Sequence, residues 1–334
     1  MQKLLTIVVP VYKVEPYINK CLDSCILEDE KLMSQLEVII VNDGTPDNSA
    51  EMSREYVKRY PKTFRQIDKE NGGHGSAWNV GLKEATGKYL RFLDSDDWLT
   101  NLDKLMLKLQ EIDADLVFTQ QYKYKVQYNE FVLSPVNGPI NRIIPIEEFP
   151  YTETSDYTVA DFQYCTYRTD LLKPLQPLFD EHVYYDDMIL FIAPLLVSHT
   201  CYICDFVLYN YLIGRSGQTM DPKVMSKNER FKIQQYQKML LFKNNQSNSQ
   251  YVALWVDYIM VQYAQRELVN VLSHLKYKRA KTTASLIKGI LVAHPEMLAN
   301  SKQLHRFISL PLPIFYFYEK IRDTKNTLSI RKQK

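Results

Sequence analysis

Residues 89–98 read YLRFLDSDDW, an apolar run that closes on three carboxylates within four positions, Asp94, Asp96 and Asp97. Like charges set this close repel one another, so something positive must sit near them. The run before them, KYLRFLD (88–94), follows Gly87 and reads as a buried strand with the acids at its carboxyl end. Working outward, LLTIVVPVY (4–12) and LEVIIVND (36–43) are continuous apolar runs, as strands buried on both faces should be. FRQID (64–68) is a shorter strand, and ADLVFTQ (114–120) another. Helical stretches alternate with them. One spans about 15–30, with Leu22, Cys25 and Ile26 on one face; a second is capped by Asp47 and stopped by Pro61. A third spans 74–85, ended by Gly87, and a fourth about 101–112. This βαβα order predicts an α/β fold with an open, mostly parallel sheet and helices on both faces.

Further along, YKYKVQY and EFVLS form an expected hairpin across Asn129, and QYCTYRTDLL (163–172) a strand running into a short helix. YYDDMILFIAPLLV (184–197) reads as a helix with its acids in the first turn, where the helix dipole favours them. Two strands, 200–204 and 206–213, follow. After residue 221 glycine nearly vanishes, leaving Gly289, and amphipathic periodicity covers about 226–245, 249–275, 277–292 and 295–308. The expected division is therefore an α/β domain over 1–220 and a helical domain over 221–334, suited to an acceptor, oligomer or membrane-surface role.

Composition narrows the function class. A net charge of +2 over 334 residues gives no nucleic-acid footprint. Five scattered cysteines argue against a disulfide framework and for a reducing, cytoplasmic setting. Cys201 and Cys204 lie three apart in a strand-like stretch, on opposite faces, which disfavours a metal site. The 24 tyrosines suit sugar-facing grooves and interfaces, or the packing of a second helical layer. MQKLLTIVVPVY lacks the cleavage site of a signal peptide, and ILFIAPLLV (189–197) falls short of the roughly 18 residues of a membrane span. The tail from 319 to 334 holds six Lys/Arg against two acids, which fits either peripheral contact with an anionic inner membrane surface or a solvated helix end.

In an open parallel sheet, ligands bind beyond the carboxyl ends of the strands. Those ends present Pro10-Val11-Tyr12, Asn42-Asp43-Gly44-Thr45, the loop Asn71-Gly72-Gly73-His74-Gly75, and Asp94-Ser95-Asp96-Asp97. The glycines let backbone approach a ligand at a helix start, where phosphate binds well. Aspartates with no paired arginine fit a hard divalent cation, and such a cation lets carboxylates neighbour a diphosphate. The other reading is a solvated helix cap, with Asp96 or Asp97 as N-cap. No G-x-G-x-x-G follows the first strand, which argues against a dinucleotide oxidoreductase. The DxD follows the fourth strand, which argues against a phosphatase with an aspartate nucleophile after its first.

The stretches TIVVPVYKVEPYINKCLDS, EVIIVNDGTPDNS and NGGHGSAWNVGLKEATGKYLRFLDSDDW together resemble a family-2 glycosyltransferase of the GT-A fold. YYDDM and GRSGQTM extend the likeness to about residue 220. The resemblance implies an inverting, nucleotide-sugar-dependent enzyme of cell-surface glycan synthesis, with a UDP-sugar as donor. It implies a glycan, a lipid-linked sugar or a glycoprotein as acceptor, and Mn2+ or Mg2+ as cofactor. By the same resemblance Pro10 and Tyr12 line the base site, and Asp43 contacts base or ribose. Gly72, Gly73, His74, Asn79 and Ser95 lie along the nucleotide. Asp94 serves ribose or metal, Asp96 the metal, and Arg215 closes over the diphosphate. Asp187 matches the general base, while Asp186 stands where the family usually has Glu, so both are candidates. Trp78 stands where Arg is common. His182 is a candidate acceptor contact, and the helical domain a candidate dimer interface. The rival reading is a catalytically inactive GT-A-like binding protein.

Overall fold

The structure, a computed structural model, describes residues 3–149, 161–184 and 187–215 without a break, and isolated positions between 231 and 311. The chain divides into two units, Met1–Ser216 with Gln246–Val252, and Gly217–Asn245 with Ala253–Lys334. In the second unit the described helical positions include buried Met239, Val256, Ile259 and Ala284. The expected helices after 226, and the basic tail, otherwise lie outside the described residues.

The first unit is built on β1 (Leu5–Val11), β2 (Leu36–Asp43), β3 (Phe64–Lys69) and β4 (Tyr89–Phe92). They run parallel in the order β3-β2-β1-β4, with Leu5 opposite Leu36 and Tyr89. Every residue of β1, β2 and β4 is buried, which is why these strands read as unbroken apolar runs. Beyond β4 the sheet turns mixed. The short β5 (Trp98–Leu99), β6 (Leu116–Lys125), β7 (Glu130–Ser134), β8 (Ile143–Pro145), β9 (Cys165–Arg168) and β10 (Thr200–Ile213) complete it. The order continues β4-β9-β6-β10-β5, with β7 on β6 and β8 on β10. The hairpin across Asn129 is there, with Asn129 in the left-handed region at φ 49°.

Several helix expectations change for local reasons. The helix expected over 15–30 is two: α1 (Ile18–Asp23) and α2 (Glu30–Gln35). The Ser24 hydroxyl turns back onto the Cys21 carbonyl, and Asp29 accepts the N–H groups of Lys31 and Leu32 to start a new helix. α3 (Ser49–Arg59) has Asn48 rather than Asp47 at its N-cap, although Asp47 still accepts from the Ser49 N–H. α4 (His74–Glu84) and α5 (Leu102–Glu111) match expectation, and α6 (Thr169–Leu172) follows β9. α7 (Ile189–Val197) starts later than expected, so Asp187 lies in the turn before it. The two strands expected over 200–213 are the single β10, whose register breaks between Ile203 and Val207.

α4 lies close on β1 because Gly81 has no side chain. A Cβ there would sit 2.1 Å from Val8 Cγ1. At the amino ends of the strands, buried Glu37 accepts from the Thr6 hydroxyl (2.6 Å), Arg65 Nε (3.1 Å), and the Thr86 N–H (2.9 Å) and hydroxyl (3.0 Å). One carboxylate thus ties β1, β2, β3 and the turn into β4. All five cysteines are buried free thiols, and burial pushes Cys201 and Cys204 up to about 12. Among the described residues no helix is long and apolar enough to cross a membrane.

Candidate active site

The carboxyl ends of β1 to β4 form one rim. Pro10 is buried in β1 opposite Val41, and Tyr12, just past the strand, is 43% exposed. Asp43 ends β2 and is 2% exposed. It accepts from Lys69 Nζ (2.7 Å) and from the N–H groups of Gly72 (2.9 Å) and Gly73 (2.8 Å). Its oxygens hold the glycine loop and a lysine in place. Gly73 takes φ 89° as it opens α4, a conformation side chains disfavour.

The glycine loop and α4 then carry three anchors for the segment that leads to Asp187. The Gly72 carbonyl accepts the His182 N–H (2.6 Å), and the Ser76 hydroxyl donates to Glu181 Oε1 (3.2 Å). Asn79 donates to the Phe179 carbonyl (2.9 Å) and accepts from the N–H groups of Leu178 and Phe179. The Asn79 amide thus binds the backbone of Leu178 and Phe179 as both donor and acceptor. His182 presents its backbone to the glycine loop, at φ 55°. Trp78 is core, packed against Phe92, Phe162 and Phe179.

The acids follow β4. Asp94 Oδ1 lies 2.9 Å from His74 Nε2, so the first residue of α4 meets the first acid of the turn. Ser95 is buried. Asp96 Oδ2 lies 2.5 Å from Arg215 Nε, just beyond β10. The sequence showed no arginine beside these acids, yet the fold supplies one from 119 residues away. Asp97 is 1% exposed and accepts from the Tyr209 hydroxyl (2.6 Å) and the Leu212 N–H (2.8 Å). Burial and the neighbouring Asp94 push Asp96 up against the pull of Arg215. Burial, then Asp96 and Asp94, push Asp97 well up.

This donor set fits a hard divalent cation. Asp94, Asp96 and Asp97 each bring a carboxylate oxygen within 4.8 Å of the others, and Arg215 balances one of three charges. Asp97 already has both oxygens bonded, which leaves Asp94 and Asp96 to face a ligand.

Asp187 is exposed in its turn, its carbonyl accepting the Leu190 N–H. It shares surroundings with the DSDD acids. The Tyr211 phenol is raised by burial and then by the carboxylates of Asp97, Asp94, Asp187 and Asp161. Asp186 and the loop after Arg215 lie outside the described residues. Lys69, Tyr209 and Tyr211 belong to the site but carry no motif. The spacing of Tyr209 and Tyr211 on one face of a strand, with Arg215 just past its end, was the available signal, had that strand been known to pass the acids.

The Glycosyl transferase family 2 model matches residues 6–175. The uncharacterized glycosyltransferase EpsJ of Bacillus subtilis (strain 168) is 30% identical over 252 residues, 73% of this chain and 71% of EpsJ. Among solved structures, S. aureus TarS in complex with UDP-GlcNAc superposes with a TM-score of 0.69 at 19% identity, covering 99% of this chain and 92% of that one. The mannosyltransferase PcManGT from Pyrobaculum calidifontis, in complex with GDP-Man and Mn2+, gives a TM-score of 0.55 at 15% identity, over 98% and 88% of the two chains.

Proposed function

The chain belongs to glycosyl transferase family 2, and from that premise we propose that it transfers a sugar, with inversion, from a UDP-sugar to an acceptor hydroxyl at the rim of β1 to β4. The enzyme class, a nucleotide-sugar-dependent glycosyltransferase, follows from the family. The uridine nucleotide is supported by the likeness to TarS, whose structure holds UDP-GlcNAc, and the cation by PcManGT, whose structure holds Mn2+. The acceptor is a glycan, a lipid-linked sugar or a glycoprotein in surface glycan synthesis. The observation that carries the reading is the common rim: Asp94, Asp96 and Asp97 bring their carboxylate oxygens within 4.8 Å of one another, and the Tyr211 phenol is raised by burial and then by Asp97, Asp94 and Asp187.

In this reading Tyr12 borders the base, and Asp43 keeps the glycine loop shaped to receive the nucleotide. Asp94 and Asp96 would hold Mn2+ or Mg2+, which would supply charge neutralisation for a leaving diphosphate. Arg215 moves from Asp96 to the phosphates as the donor arrives. Asp187, exposed and delivered by the segment that Asn79 anchors, takes the proton of the acceptor hydroxyl. The unit after Gly217 is proposed to serve the acceptor, a second copy or a membrane surface.

Asp187→Asn tests the base. UDP-sugar binding by calorimetry should stay within about twofold, while transfer should fall by about 10²–10⁴-fold. Wild-type turnover in this variant would remove Asp187 from the role, and parallel loss of binding and turnover would make it a donor contact instead.

A further inference from the structure

Asp97 is the acid of the turn that the donor chemistry leaves unused. It is buried, and its two oxygens are committed to Tyr209 and Leu212. The Tyr209 hydroxyl also accepts the Asp94 N–H, at 3.2 Å. The Asp97 N–H returns to the Asp94 carbonyl at 3.0 Å. One phenol oxygen therefore joins the backbone of the first acid to the side chain of the last, with Asp96 held in the loop between.

Behind the ring of Tyr209 sits Arg91 of β4, its guanidinium carbon 5.6 Å from the ring centroid. Arg91 is fully buried, and its hydrogen bonds go to the Cys165 and Gln163 carbonyls and the Thr166 hydroxyl, all neutral. A buried guanidinium and a buried carboxyl group thus face opposite ends of one tyrosine, the guanidinium over its π face and the carboxyl group on its hydroxyl. Tyr209 itself is fixed. It is fully buried, paired with Leu99 across β5 and with Gln121 across β6, and its ring meets Phe162 edge-on.

The geometry points to Tyr209 as a positioning residue: its hydroxyl, drawn between the Asp94 N–H and the Asp97 carboxylate with Arg91 behind the ring, sets the spacing of Asp94 and Asp96 for a divalent cation. This rests on the donor reading above. Carboxylates whose oxygens lie within 4.8 Å push apart, and the DSDD turn lies between strands where no ladder restrains it. The tie to β10 opposes that spreading before any cation arrives, and groups that orient metal ligands in this way commonly carry about 10–100-fold in metal affinity.

The test is calorimetric titration of UDP with Mn2+ and with chelator, on wild type, Tyr209→Phe and Asp96→Ala. Tyr209→Phe keeps the ring and removes the oxygen. Its Mn2+-dependent UDP binding should weaken about 10–100-fold, with chelator-resistant UDP binding unchanged, and excess Mn2+ should restore transfer. Asp96→Ala should lose the Mn2+ dependence, with no rescue. A Tyr209→Phe protein that binds Mn2+ and UDP like wild type, whatever its melting temperature, would overturn the inference and leave the donor reading standing. Wild-type UDP binding indifferent to chelator would overturn both. Should Tyr209→Phe not fold, Asp97→Asn is read the same way: a tenfold or greater loss of Mn2+ dependence supports the tie, and wild-type affinity ends it.

Discussion

At the scale of single residues, the acids of YLRFLDSDDW have two partners, one visible in the chain and one that only folding reveals. The sequence shows three carboxylates and implies a cation. It gives no sign of Tyr209, and although the family likeness named Arg215 and His74, it hides their pairing with these acids, because hydrogen-bond partners 119, 112 and 20 positions away leave no local pattern. Arg215 on Asp96 has a measurable consequence, since guanidinium and metal compete for one carboxylate. Arg215→Met should tighten Mn2+ binding to the nucleotide-free protein several-fold while lowering transfer by roughly 10²–10³-fold. Metal titration followed by Mn2+ electron resonance reads the first part, and nucleotide release the second. Weaker Mn2+ binding in the variant would show that Arg215 supports the metal site instead of competing for it. Asp43 is the opposite case. Its place at a strand end was plain in the sequence, but its commitment to Lys69 and two glycine N–H groups was not.

At the scale of elements, the central strands were legible because residues buried on both faces leave unbroken apolar runs. Elements that depend on side-chain hydrogen bonds were not. The stretch over 15–30 has helical periodicity throughout, yet Ser24 and Asp29 divide it. β10 was read as two strands because the exposed Asp205 interrupts its apolar pattern at the register break. The amino ends of the strands hold a stability device that no motif announced. Burial raises the Glu37 carboxyl, but hydrogen bonds from Thr6 and Thr86, and then the charge of Arg65, outweigh it and leave the net shift downward. A depressed folded-state value means the stabilisation is complete above the unfolded Glu value of about 4.3 and is lost as pH falls through the folded value. Glu37→Gln should therefore cost about 1–3 kcal/mol at pH 7 and progressively less in acid. Urea unfolding at pH 7 and below pH 4 measures both, and an equal cost at the two would contradict the assignment.

At the scale of the whole molecule, the sheet separates its duties. The buried Glu37 network holds the amino ends of the strands, and the carboxylates, glycine loop and Asp187 gather at the carboxyl ends, where repulsion among acids is tolerated for chemistry. The mixed half of the sheet is what completes the site, because β10 brings Tyr209, Tyr211 and Arg215 past the turn that β4 presents. Sequence reasoning could single out Asp94, Asp96 and Asp97, since they form one contiguous stretch, and the family likeness proposed Asp187. It could not reach the framework joining the two halves, which exists only once β9 and β6 have inserted between β4 and β10. The central claim is that this rim handles a nucleotide sugar through a cation held by Asp94 and Asp96. The most direct measurement is nucleotide release from a panel of sugar nucleotides, with Mn2+ or Mg2+ and with chelator. UDP should be released from at least one UDP-sugar with metal present, and both chelator and Asp96→Ala should abolish it. Release that persists unchanged in chelator, or that survives Asp96→Ala, would contradict the claim.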